Sequence, residues 1–263
     1  MLKEYCGLKV FQSPSLDMPW LLHAFTTRLG GVSEGVFHSL NLGFAIGDPP
    51  ERVVANRKRL AHALGYDFER AVSGQQVHGS NVAVVSLLDA GAGAFEPETS
   101  IPAADGLVTS TRQLPLMAFF ADCVPVFLVD TANRTVGIVH AGWRGTVQRI
   151  AGKAVAEMSR AFGTHPAECV AVVGPAIGPC CYTTDGPVAE KFQGWGRAVS
   201  WRDGSKWHVD LREANRCDLL TAGVLPKNIT VIDFCTACHS ELMFSYRRDG
   251  GNTGRMAAVI MLR

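Results

Sequence analysis

Long apolar runs are missing from this chain of 263 residues. No stretch approaches the roughly 18 consecutive apolar residues of a membrane helix. The opening MLKEYCGLKVFQSPSLDMPW has no apolar segment behind a basic start. Neither a membrane span nor an export leader is expected, and the chain reads as cytoplasmic. An excess of one charge is missing too, since Lys plus Arg number 25 against 24 for Asp plus Glu. No global field draws in nucleic acid or an anionic membrane, so any anion has to be held by a local cluster. Repeats and low-complexity linkers are likewise absent. The 8 cysteines are too few for a disulfide scaffold in a chain this long, and most are expected as free thiols. Cysteine here means packing, metal or catalysis.

What is present is a 47% hydrophobic composition, enough for a sizeable core. Short apolar runs bounded by turn residues read as strands: NVAVVSLL, DGLVTS, LPLMAFF, VPVFLVD, TVGIVHAG, CVAVVGPAIG, NITVIDF and GRMAAVIML. Helical spacing appears in ERVVANRKRLAHALG, GTVQRIAGKAVAEMSRAFG and LREANRCDLLTAG, each ending on glycine. Consecutive strand runs between 107 and 140 have no helix between them. That order predicts α+β with mixed sheets rather than an alternating doubly wound sheet. AGAGAFEPETSIPAAD, residues 90–105, reads as a long surface loop inside a domain. SYRRDGGNTGRMA, residues 245–257, reads as a hairpin tip whose Arg247, Arg248 and Asp249 pair with one another or with water.

Three polar breaks follow or interrupt strands: QQVHG with His78, FFADCVPV with Cys123 and VGIVHAGWRGT with His140. Singly, such a histidine is an ordinary polar residue and such a cysteine a small hydrophobe. Together, two His and one Cys with a fourth position open match the donor set of a catalytic zinc ion. Their wide separations are unlike the close pairs of a structural zinc ribbon. The same trio also fits a Cys123 nucleophile with a histidine base and no metal. Copper accepts these donors as well, but the 8 histidines contain no His-x-His pair, which argues against a multicopper cluster.

Two further cysteine motifs stand apart. CTACH, residues 235–239, has the pattern of covalent haem attachment, a chemistry of exported proteins, and reads instead as a strand end with two thiols. Cys180 and Cys181 in GPAIGPCCY read as packing after a tight turn, or as a redox pair. For an anion, TTRLGGVSEGVFHSLNLG, residues 26–43, gathers Arg28, Ser33 and Asn41 around glycine-rich turns. It lacks the Gly-Lys-Ser/Thr signature of a nucleotide-hydrolase loop. Arg144, four residues after His140, adds a second positive charge near the possible ligands.

Taken in order, TTRLGGVSEGVFHSLNLG, QQVHG, ADCVPV, HAGWRGT, GPAIGPCCY and SYRRDGGNTGRMA resemble the bacterial laccase-domain family, and they span nearly the whole chain. That family is also called polyphenol oxidase, purine nucleoside phosphorylase and peptidoglycan editing factor. The resemblance implies one compact domain over residues 1–263, four-layered α/β/β/α, similar in its Cys-His layout to toxin-type cysteine hydrolases. It implies one zinc ion on His78, Cys123 and His140, with copper the lesser expectation, and a phosphate pocket at Arg28, Asn41 and Arg144. The implied partners are purine nucleosides and inorganic phosphate, and the implied reaction is phosphorolysis of adenosine, inosine or methylthioadenosine, with adenosine deamination as a side activity. Editing of a cell-wall precursor and copper-dependent phenol oxidation are the alternatives. Thr183 stands where the family usually has an acidic residue. No oligomeric state follows.

Overall fold

A computed structural model describes residues 1–44, 46–196 and 199–263. Two six-stranded mixed sheets stack face to face. The first runs in the order β1 (Leu2–Tyr5), β2 (Leu8–Phe11), β3 (Leu21–Thr26), β15 (Met256–Leu262), β7 (Leu116–Phe120), β4 (Val72–Ser73). The second runs β14 (Ile229–Val231), β10 (Cys169–Val173), β8 (Val124–Asp130), β9 (Thr135–Ala141), β6 (Gly106–Thr109), β5 (Val82–Val84). A small third sheet pairs β11 (Thr183–Thr184), β13 (Lys206–Val209) and β12 (Ser200–Asp203).

The apolar runs decide this stacking. Every residue of β8 and β9 is buried, which suits strands covered on both faces. Alternation sorts β8: Phe127 and Val129 point to the other sheet, while Val126 and Leu128 point to a helical layer. Between the sheets the Phe25 and Phe127 rings stack at 4.3 Å, among Leu116, Phe120, Ile138 and Ile260. Outside the first sheet, α1 (Pro50–Leu64) lays Leu60, Ala61 and Leu64 on Leu22, Ala24 and Val259. Outside the second, α3 (Ile150–Phe162) and α5 (Leu211–Thr221) bury Ile150, Val155, Met158 and Leu219. Four layers result, α/β/β/α, as the resemblance implies.

All eight runs read as strands contain one. Two expectations need correction. The helix expected over 145–163 breaks into α2 (Trp143–Val147) and α3, because Arg149 takes a left-handed φ of 60°. Its guanidinium is held there, 4.4 Å over Trp195 and 3.5 Å from the Asp218 carboxylate. Residues 245–255 are not a hairpin: they form a closed turn in which the Asp249 carboxylate accepts from Ser245 N–H, Thr253 Oγ1 and the Arg248 guanidinium. Arg248 and Asp249 do pair, at 2.7 Å, whereas the Arg247 guanidinium donates to a backbone oxygen. Among the described residues no helix is long and apolar enough to cross a membrane.

Truncating the ring that joins the two sheets tests this packing. Phe127→Ala should cost about 3–5 kcal/mol, read as a lowered denaturation midpoint, and an unshifted midpoint would mean that the sheets do not dock through that ring.

Candidate active site

Two of the three suspected ligands ride on passages between the sheets. The chain leaves the first sheet at β4, passes His78 and enters the second at β5; it leaves again at β7, passes Cys123 and enters at β8. His140 lies on β9, beside both. The β8–β9 register pairs Val124 with Ala141 and Pro125 with His140, so Cys123 falls next to His140. Both passages are bent through left-handed backbone, at His78 (φ 58°) and Asp122 (φ 90°), conformations a non-glycine residue adopts only when its surroundings enforce them.

The enforcement is visible. Asp105, one residue before β6, accepts Val77 N–H (3.2 Å), His78 N–H (3.0 Å) and Gly79 N–H (2.7 Å), so one carboxylate fixes the turn that aims His78. The same carboxylate meets His140 Nδ1 at 2.8 Å. With Nδ1–H donated to Asp105, Nε2 is left free for a metal, the carboxylate–histidine pairing of metal sites. Asp122 is anchored similarly: Oδ1 accepts from Thr236 Oγ1 (2.6 Å) and Oδ2 from Arg247 N–H (2.7 Å). Neither aspartate was picked out by sequence reasoning. The signal for Asp105 lies in the strand register, which the chain alone does not display.

The donor atoms of His78, Cys123 and His140 all lie within 4.8 Å of one another. Gly142 leaves the space between them open: a Cβ there would stand 3.1 Å from His78 Cδ2 and 3.2 Å from Cys123 Sγ. Burial opposes ionisation of the Cys123 thiol, but His140 and His78 outweigh it by charge and hydrogen bonding and bring it from 9.0 down to about 6. Burial likewise opposes a charge on His140, and the Cys123 thiolate with Asp105 raises that imidazole from 6.5 to about 9. Without a metal the pair is therefore thiolate and imidazolium. A nitrogen, a nitrogen and a readily formed thiolate around a glycine-walled gap are donors that suit zinc.

The cluster forms part of the wall of a cavity of about 840 Å³, within the range of small-molecule sites. Phe119, Ile177, Tyr182 and Tyr246 give it apolar and aromatic walls, and Arg57, Arg144, Arg247 and Arg255 reach it. Arg57 is structural: its guanidinium donates to the carbonyls of Leu42, Gly93 and Ala94 and lies between the Phe44 and Phe119 rings. Among the described residues no carboxylate forms an ion pair with Arg144, Arg247 or Arg255. Arg144, as expected from sequence, is at the cavity. Arg28 and Asn41 do not line it. Arg28 donates to the carbonyls of His38 and Ser240 and lies over Phe244. Asn41 is fully buried and accepts Arg255 N–H at 2.9 Å, so it supports an arginine of the wall. Arg247 and Arg255 went unassigned in the sequence because their turn reads as a solvated tip.

Comparison with known proteins places the chain in a family. The family model described as multi-copper polyphenol oxidoreductase laccase matches residues 22–263. The chain belongs to this family. A laccase-family relative named purine nucleoside phosphorylase YlmD, from Geobacillus stearothermophilus, is 44% identical over 240 residues, covering 89% of this chain and 88% of the relative. Another, from an unknown prokaryotic organism, is named adenosine deaminase RL5 and is 36% identical, covering 89% and 91%. The crystal structure of the hypothetical protein YfiH from Bacillus licheniformis superposes with a TM-score of 0.94 at 37% identity, covering 100% of this chain and 99% of that one. Despite the copper in the family's description, His78 and His140 are the histidines that join a potential metal group among the described residues. His23 instead accepts Ser13 N–H, and His239 stacks on Phe234.

Asp105→Asn keeps the shape and removes the charge that orients His140 and the His78 turn. Metal affinity, probed with added zinc in competition with a chromophoric chelator, should fall by about 10–100-fold; unchanged affinity would take Asp105 out of the site. In the metal-free protein, alkylation followed on the Cys123 peptide by mass spectrometry should rise with pH through about 6, since the thiolate persists until pH drops through that value. A midpoint near 9 would show that no imidazolium stands beside it.

Proposed function

We propose that this chain is a zinc-dependent purine nucleoside phosphorylase, cleaving the N-glycosidic bond of adenosine, inosine or methylthioadenosine with inorganic phosphate. The observation that carries the reading is the wall of the cavity: three arginines that have no carboxylate ion-pair partner among the described residues, together with a His-Cys-His donor set. Phosphorolysis develops positive charge on the ribose and negative charge on the departing purine, and it needs an anchored phosphate as nucleophile. Arg144, Arg247 and Arg255 are the groups to hold that phosphate. The Arg247 guanidinium donates to the Thr183 carbonyl at 2.8 Å, a backbone contact that holds this arginine at the wall.

His78, Cys123 and His140 would hold the zinc ion, which when bound supplies Lewis acidity and a water of lowered pKa beside the purine. The protein does the rest. Phe119 and Tyr246 offer aromatic faces to the base. Burial raises the Tyr182 hydroxyl to about 12, so at neutral pH it stays protonated and is available at the wall as a hydrogen-bond donor to substrate. The relatives named as purine nucleoside phosphorylases support this choice, and the one named adenosine deaminase supports deamination as a side activity.

A second reading rests on Cys123, His140 and Asp105, which stand in the order nucleophile, base and orienting carboxylate. It makes the chain a hydrolase, with the editing of cell-wall precursors as its implied task, and the arginines would then hold a substrate diphosphate. Phenol oxidation with copper is the weaker reading, because two histidines and one cysteine cannot ligate several copper ions.

Turnover of adenosine with and without inorganic phosphate separates the readings. Phosphate-dependent adenine with an equal amount of ribose 1-phosphate is expected; hydrolysis indifferent to phosphate, or no nucleoside turnover, overturns the phosphorylase. Arg247→Ala should remove a charged hydrogen bond worth about 1.5–3 kcal/mol, raising KM for phosphate roughly ten- to a hundredfold with metal content unchanged.

A further inference from the structure

Four thiols lie together outside the site described above. Cys180 and Cys181 sit in the turn after β10, and Cys235 and Cys238 follow β14; their sulfurs all lie within 4.8 Å of one another. Cys181 Sγ is 3.4 Å from Cys238 Sγ, and Cys180 Sγ is 3.6 Å from it. These separations far exceed the roughly 2.05 Å of a disulfide. They approach the roughly 3.8 Å between sulfurs at the corners of a tetrahedron whose centre lies about 2.3 Å from each, the zinc–sulfur distance. Cys235 and Cys238 also have the Cys-x-x-Cys spacing of a zinc-binding pair.

The backbone holds this arrangement in place. Ala176 and Cys235 form a parallel bridge, Ala176 N–H donating to the Phe234 carbonyl (3.2 Å) and Thr236 N–H to the Ala176 carbonyl (3.1 Å). Gly178 N–H donates to Cys235 Sγ at 3.1 Å, the kind of second contact that orients a metal-binding sulfur. A Cβ on Gly178 would come within 3.2 Å of both Cys180 Sγ and Cys235 Cβ, so the close approach of the two segments needs glycine there. His239, the remaining donor of the CTACH motif, is turned away: its Nδ1 meets the Cys235 carbonyl at 2.9 Å and its ring stacks on Phe234 at 3.9 Å. That placement also removes the haem pattern's histidine from the thiols.

We propose that Cys180, Cys181, Cys235 and Cys238 bind a single zinc ion in a closed, tetrahedral, four-sulfur site separate from the His78, Cys123 and His140 centre. Binding one Zn²⁺ deprotonates the four thiols and releases four protons, with no change of oxidation state. The ion is a staple. It ties the turn that carries Ile177 and Tyr182 into the cavity wall to the segment that carries Thr236 and Arg247, and those last two residues anchor Asp122 beside Cys123. Cys180 and Cys238 are exposed, so the ion can reach the site from solvent without any opening of the core.

The inference is independent of the substrate assigned above, and its test reads metal rather than turnover. Zinc per chain is measured in the wild type, in the Cys180→Ser/Cys238→Ser double variant and in Cys123→Ser, all purified without added metal. Each variant is expected to lose one equivalent, and cobalt added to the metal-free wild type should give the intense sulfur-to-cobalt bands of a four-thiolate site, lost in the double variant and kept in Cys123→Ser. Equal zinc in the wild type and the double variant overturns the proposal, as does a disulfide among the four found by peptide mapping of the purified protein. Should the double variant fail to fold, the wild-type cobalt spectrum decides alone: four-sulfur bands sustain the site and their absence overturns it.

Discussion

A single buried carboxylate organises this protein's centre. Asp105 holds three successive backbone N–H groups around His78 and, with the same oxygens, orients His140. It thereby links a passage between the sheets to a strand inside one of them. The left-handed backbone at His78 costs free energy, and these hydrogen bonds offset it. Everything proposed for the metal centre presupposes that this carboxylate stays ionised. Burial works against that, and the hydrogen bonds and charge of His140 with the N–H groups of Gly79 and Val77 prevail and keep it below the usual carboxylate range.

The two sheets explain why a site could form here at all. A stacked pair of mixed sheets has few places where the chain can change layer, and each change exposes polar backbone that strands would otherwise pair. Placing His78 and Cys123 on two such passages puts chemistry where backbone is already irregular, while β8 and β9, buried along their whole length, keep the frame rigid. The surrounding loops, including residues 90–105, then complete the cavity.

Much of this was legible in the chain. The burial of β8, β9 and β15 is written in continuous apolar runs, and α1 and α3 end where glycine permits a left-handed turn, at Gly65 and Gly163. His78, Cys123 and His140 were visible because polar residues interrupt such runs. β1 was harder to see, since its alternately exposed and half-buried residues give a weak pattern. The break at Arg149 depends on Trp195 and Asp218, far away in sequence. The arginines of the wall were hidden for the same reason: Arg247 does stay exposed, but only the fold brings it together with Arg255 at the cavity, and Asn41 looks like a ligand-binding donor until it is found accepting the Arg255 N–H.

The positions of His78 and Cys123 on inter-sheet passages have a mechanical consequence. Sliding one sheet over the other by a fraction of an ångström would alter the gap between these donors directly, so the spacing of the donor set is tied to the docking of the layers. The stacked rings of Phe25 and Phe127 lie within the seam between those layers.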